Sequence, residues 1–166
     1  EFGTSVAVDS DTLLVGDPWA AAGVVHVFTR DVLGMWIESS PMIASDGAEG
    51  DWFGGSLALH GNTAIVGGPK DDAEQGTAVS GECVEIETGA AGTVQLGDCD
   101  VGENSGSAYV FTRNRSGTWT EKETLSMDEG TKDAHFGHAV AMDGEAVLIG
   151  APGPGERSGL AFIFTR

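Results

Sequence analysis

Basic residues are scarce in this 166-residue chain: 8 Lys plus Arg stand against 26 Asp plus Glu, a formal charge of −18. A surface this negative repels nucleic acid and anionic membranes. It suits basic partners, divalent cations or a salty medium, and it also serves plain solubility. No apolar run approaches the ~20 residues of a membrane helix, and no signal peptide is present. The sequence does not begin with Met: Glu1 and Arg166 each abut a repeat motif, so the chain is expected to be an excerpt or a processed product. Helix-length periodicity is missing as well. The 26 glycines, 5 prolines and short apolar runs between Gly/Asp/Ser/Asn clusters read as short strands joined by tight turns.

Catalytic signatures are also wanting. There is no Gly-x-Ser-x-Gly elbow, no P-loop and no His-Glu-x-x-His. Carboxylates are so abundant that a close Asp/Glu pair is expected by chance, which leaves a glycosidase reading no residue to rest on. The expectation is a chain that is not an enzyme, with no catalytic residue and no required cofactor.

What is present is a repeat. FGTSVAVDSDTLLVGDP (residues 2–18), FGGSLALHGNTAIVGGP (53–69) and FGHAVAMDGEAVLIGAP (136–152) align without a gap. GVVHVFTR, GSAYVFTR and GLAFIFTR follow them, ending at Arg30, Arg113 and Arg166, and Trp36 and Trp119 lie six positions past two of these arginines. One connection alone is long: 5 positions separate Pro18 from Gly23 and 7 separate Pro152 from Gly159, but 37 separate Pro69 from Gly106.

Each unit reads as four strands. The first two (residues 5–8 and 13–15, 56–59 and 64–66, 139–142 and 147–149) form a hairpin across a short polar turn. The third alternates with period two, and the fourth carries the Trp. Ala7, Ala58 and Ala141 recur at one place in the first strand and mark a crowded centre where sheets converge. The expected fold is all-β: a partial β-propeller of four-stranded antiparallel blades, with units at 1–52, 53–135 and 136–166, the last without its fourth strand. A β-solenoid is the other candidate, but its coils are usually much shorter. Phe2, Phe53, Phe136, Trp36 and Trp119 recur in phase and are expected to pack in cores, not to serve as sugar platforms.

The Phe-Gly start and Gly-x-Pro end, as in Phe136-Gly137 through Gly150-Ala151-Pro152, resemble the FG-GAP repeats of integrin α-type propellers. The resemblance spans all three units outside the insertion. It implies an extracellular or cell-surface protein acting in adhesion or structural assembly, partnered by other protein chains or by further blades. A carbohydrate-binding propeller, with glycans as ligands, and an accessory domain of a secreted hydrolase are the alternatives. The chain departs from the family in the turn between the first two strands, often a calcium loop there and here only Asp9-Ser10-Asp11, His60-Gly61-Asn62 and Asp143-Gly144-Glu145. Calcium takes six to eight oxygens, which turns so short can hardly supply.

In such a blade the 2–3 and 4–1 loops share one face. The insertion (71–104) is a 2–3 loop bearing Asp71, Asp72, Glu74, Glu82, Glu85, Glu87, Asp98, Asp100 and Glu103 without a Lys or Arg. It reads as the ligand or partner face, with solvation and calcium as the other readings. Asp46, Asp51, Asp128 and Asp133 in the 4–1 loops are the weak metal candidates. His135 and His138 flank Phe136-Gly137 in one unit only, against a metal role. Cys83 and Cys99, both inside the insertion, are expected to form a disulfide. Asn114-Arg115-Ser116 is a glycosylation sequon in a 3–4 turn on the opposite face.

Overall fold

In the computed structural model the described residues are 1–72, 104–127, 132–154 and 159–165. They form eleven strands and no helix: β1 (Ser5–Asp9), β2 (Thr12–Asp17), β3 (Val24–Arg30), β4 (Trp36–Glu38), β5 (Ser56–His60), β6 (Thr63–Gly68), β7 (Ser107–Arg113), β8 (Trp119–Ser126), β9 (Ala139–Asp143), β10 (Ala146–Ala151) and β11 (Leu160–Thr165). The sheets run β1-β2-β3-β4, β5-β6-β7-β8 and β9-β10-β11, every pairing antiparallel. Two-residue loops join the first two strands of each sheet. Their first residue, Ser10, Gly61 or Gly144, takes a positive φ of 53°, 58° or 59°, the left-handed geometry that lets so short a loop reverse the chain.

Strand alternation sends side chains to two faces, and the sheets stack through those faces with β5 packed on both β1 and β9. The first core lies between sheets one and two, where Leu14, Val25, Val27 and Met42 meet Phe53, Ala64, Val66, Tyr109 and Phe111. The second lies between sheets two and three, where Ala58, Ile65, Ala108 and Leu125 meet Phe136, Ile149 and Phe162. Phe53 and Phe136 are the central side chains, 1% and 0% exposed, and each meets two further rings edge to face. Burial of each contributes about 2–3 kcal/mol.

The repeated Phe-Gly and Gly-x-Pro motifs meet at these junctions. A Cβ on Gly16 would lie 2.1 Å from the Gly54 carbonyl oxygen, and one on Gly67 2.0 Å from that of Gly137. Only a bare backbone permits this approach. The Ser5 and Ser56 hydroxyls donate to the same two carbonyls, both at 2.6 Å. The motif is therefore a seam between successive sheets.

Three sequence expectations need correction. Phe2 is 59% exposed, its ring set edge-on to His26, and Trp36 is 41% exposed. Both stand on the face of sheet one that no other sheet among the described residues covers, whereas Trp119 packs against the first core with the Arg113 guanidinium 5.6 Å from its ring centre. Ala58 is buried between sheets, but Ala141 is exposed on the uncovered face of sheet three. In each case the repeat supplies the side chain and only a neighbouring sheet supplies its cover.

Candidate functional site

The β2–β3 and β6–β7 loops and the segments entering β5 and β9 gather at one end of the sheets. Lys70 N donates to Asp51 O (3.1 Å), Gly106 N to Asp71 O (3.0 Å) and Phe136 N to Ser105 O (2.8 Å). Ala22 lies against Gly47, so the segment leaving sheet one folds over the β2–β3 loop. Ser45 fastens that segment to the second sheet, its N and Oγ donating to Glu121 in β8 at 2.9 and 2.7 Å.

Asp71 is 8% exposed and accepts a 3.0 Å hydrogen bond from the Tyr109 hydroxyl. Burial pushes its carboxyl above the usual range, and the nearby Asp51 and Asp46 push the same way. The Ser107 hydroxyl lies near enough to oppose that rise without meeting hydrogen-bond geometry. Asp51, 7% exposed, is raised by burial, with Asp72 and Asp46 adding to the effect and the bond from Ala48 N opposing it. Burial, then the Asp71 charge, drives the Tyr109 hydroxyl far upward, so it stays protonated as a donor.

Asp72 is exposed and accepts from Asn104 N at 2.7 Å. Asp133 sits at the next junction, where Asn104 Nδ2 donates to its carboxylate at 2.8 Å. The weak metal candidates are thus divided: Asp46 and Asp51 belong to the first junction and Asp133 to the second. Among the described residues no three His, Cys, Asp or Glu are arranged to hold a metal ion. Asp128, Glu74, Glu82, Glu85, Glu87, Asp98, Asp100, Glu103, Cys83 and Cys99 lie outside the described residues. His135 Nδ1 lies 2.9 Å from Pro69 O, and His138 is exposed.

Asn114 is at the other end, exposed in the β7–β8 turn, where its Oδ1 accepts from Ser116 N, Ser116 Oγ and Thr118 N. Beside it Arg113 reaches into two hairpin turns. Its Nε donates to Asn62 Oδ1 (3.0 Å), while Nη1 and Nη2 reach Thr12 Oγ1 (2.6 Å) and Asp11 Oδ1 (3.4 Å). Gly61 N donates to Asp9 Oδ2, which holds that carboxyl below its usual range.

Motif reading missed an exposed aromatic pair at the loop end. Trp19 and Trp52 lie with ring centres 4.6 Å apart, and Lys70 Nζ lies 3.8 Å from the Trp52 centroid. The signal was present in the aligned units. Trp19, Lys70 and Gly153 follow the three motif prolines, while Glu1, Trp52 and His135 precede the three phenylalanines. Such variable positions are free of the repeat's packing demands.

Four-stranded antiparallel sheets stacked face to face, with loops collected at one end, define β-propeller blades of the kind that serve as protein-interaction modules. The FG-GAP repeat model matches residues 36–83 and 119–164, and the chain belongs to the FG-GAP repeat family. Each match begins on a fourth strand and runs into the next sheet, so it spans the seam described above. No match is found among curated proteins. FG-GAP repeats are generally non-catalytic binding or structural modules and are typical of extracellular or cell-surface proteins.

Proposed function

We propose that this chain is a segment of an extracellular or cell-surface FG-GAP propeller that acts in adhesion or structural assembly, engaging a protein partner through the end built by the 2–3 and 4–1 loops. The observation that carries this reading is the gathering of Asp46, Asp51, Asp71 and Asp72 at that end, where no salt bridge among the described residues engages them. Against Lys70 at this end the four carboxylates leave an excess of negative charge, and such an excess steers an oppositely charged protein and fixes its orientation. The chain acts as a binding module and not as an enzyme, needs no cofactor, and is stapled by a Cys83–Cys99 disulfide in its acidic insertion. Asn114 carries a glycan at the opposite end. No helix among the described residues is long and apolar enough to cross a membrane.

Photocrosslinking tests the reading. A benzoylphenylalanine placed at Asp72 should capture protein from native cell-surface material, and the same group at Asn114 should not. Equal capture from both positions, or capture from Asn114 alone, would remove the assignment of the partner face.

A further inference from the structure

Neither tryptophan of the Trp19–Trp52 pair is required by the repeat. Trp19 is 56% exposed although large aromatic side chains normally seek cover. Its counterparts after the motif proline are Lys70 and Gly153, so the fold tolerates a cation or no side chain there. Trp52 precedes Phe53 with φ 61°, and His135 holds the same place with φ 56°. The left-handed backbone therefore belongs to the repeat, while the indole is particular to the first junction.

Two surroundings define what the pair accepts. Lys70 Nζ already lies 3.8 Å from the Trp52 ring centre, so a cation is at home on this indole. The segment beside it, residues 45–51, contributes Asp46, Glu49 and Asp51 and no Lys or Arg. Asp51 directly precedes Trp52, and Gly47 touches the Trp19 loop through Ala22. A neutral sugar would stack on Trp19 but leave the carboxylates unmatched. A guanidinium stacks flat on an indole while its N–H groups turn to carboxylates at the rim.

We infer that the Trp19–Trp52 pair and the carboxylates beside it form a docking site for an arginine side chain of a basic polypeptide. The inference rests on the reading of this end as the partner face and adds the chemistry of the partner. Arginine suits the site better than lysine, because a compact ammonium cannot stack and pair at once. Salt should weaken the contact, since Asp46 and Glu49, the carboxylates of this segment open to a partner, are exposed, whereas Asp51 is buried.

The test uses the full chain and three probes: acetyl-Gly-Arg-Gly-Arg-Gly-amide, its lysine counterpart, and a set of methyl glycosides. Binding is followed by calorimetry and by the indole N–H resonances. The arginine peptide should bind saturably and shift the Trp19 and Trp52 signals. It should bind more tightly than the lysine peptide and weaken as salt is raised. Trp19→Ala should weaken it about fivefold or more, Trp19→Phe should retain most of it, and Trp36→Ala should leave it unchanged. No saturable binding, binding indifferent to Trp19→Ala, or a glycoside binding in its place would overturn the inference. If crosslinks still form from Asp72 while the peptide fails, the arginine site falls and the partner face stands. Failure of both removes both.

Discussion

At the scale of single residues, the contrast between equivalent glycines is the sharpest consequence of the seam. Gly67 faces the Gly137 carbonyl at a distance no Cβ can occupy, whereas a Cβ on Gly150 meets only Ala139, at 3.6 Å. Gly67→Ala should cost about 3 kcal/mol or more, because backbone stands in the way and cannot swing aside. Gly150→Ala, in the same motif, should stay within about 0.5 kcal/mol. Urea unfolding of the two variants at matched concentration checks this. A second residue-scale prediction concerns pH. The raised carboxyl of Asp71 is protonated more readily folded than unfolded, so its buried charge costs nothing below the ordinary aspartate range and its full amount at neutral pH. Asp71→Asn should therefore raise the melting temperature at pH 7, and that advantage should vanish as pH falls toward about 4. An advantage that persists at low pH would mean the effect is packing and not charge.

Between elements, Arg113 is the principal polar tie at the turn end, since one guanidinium joins β7 to the hairpin turns of two successive sheets. Arg113→Ala should cost about 1–3 kcal/mol, mostly through the two bonds to Asn62 and Thr12. Asp11→Ala should cost less than about 0.5 kcal/mol, because its 3.4 Å pairing is exposed and screened. Arg113→Lys should recover less than half of the loss, for an ammonium cannot present a fork to both turns. A double-mutant cycle with Asn62 measures the coupling. The insertion between β6 and β7 supplies a further prediction. A Cys83–Cys99 bridge closes a short loop and would add about 3 kcal/mol in the loop-entropy account. Intact-mass measurement after alkylation without reductant should find neither thiol modified; two modified thiols would exclude the bridge.

At the scale of the whole molecule, the described residues leave two sheet faces uncovered, and these are complementary by construction. Phe2, Val6 and Val8 stand exposed on sheet one at the positions that Phe53, Leu57 and Leu59 occupy in the first core. Leu148 and Ile163 stand exposed on sheet three, equivalent to the covered Ile65 and Val110 of sheet two. Faces of this composition associate when nothing covers them. Residues 1–166 expressed alone should therefore form a discrete oligomer or aggregate, as read by light scattering. A stable monomer with a cooperative melt would show that three sheets are self-sufficient.

Residue order alone determined the all-β class, the antiparallel hairpins and the family, because these follow from local turn chemistry and from a motif repeated in constant phase. Phe53 and Phe136 were legible as core for the same reason. Tertiary structure decided everything that depends on which sheet lies next to which. Phe2 and Trp36 carry the same signature as their buried counterparts, yet they stand exposed, since burial belongs to a pair of sheets and not to a residue. The candidate site was legible only in part: its acidity could be counted along the chain, but motif reading ranks recurring residues highest and so passed over Trp19, Trp52 and Lys70. These three meet because the Gly16–Gly54 seam draws the loops of two sheets to one end, a proximity in space that spacing along the chain does not encode.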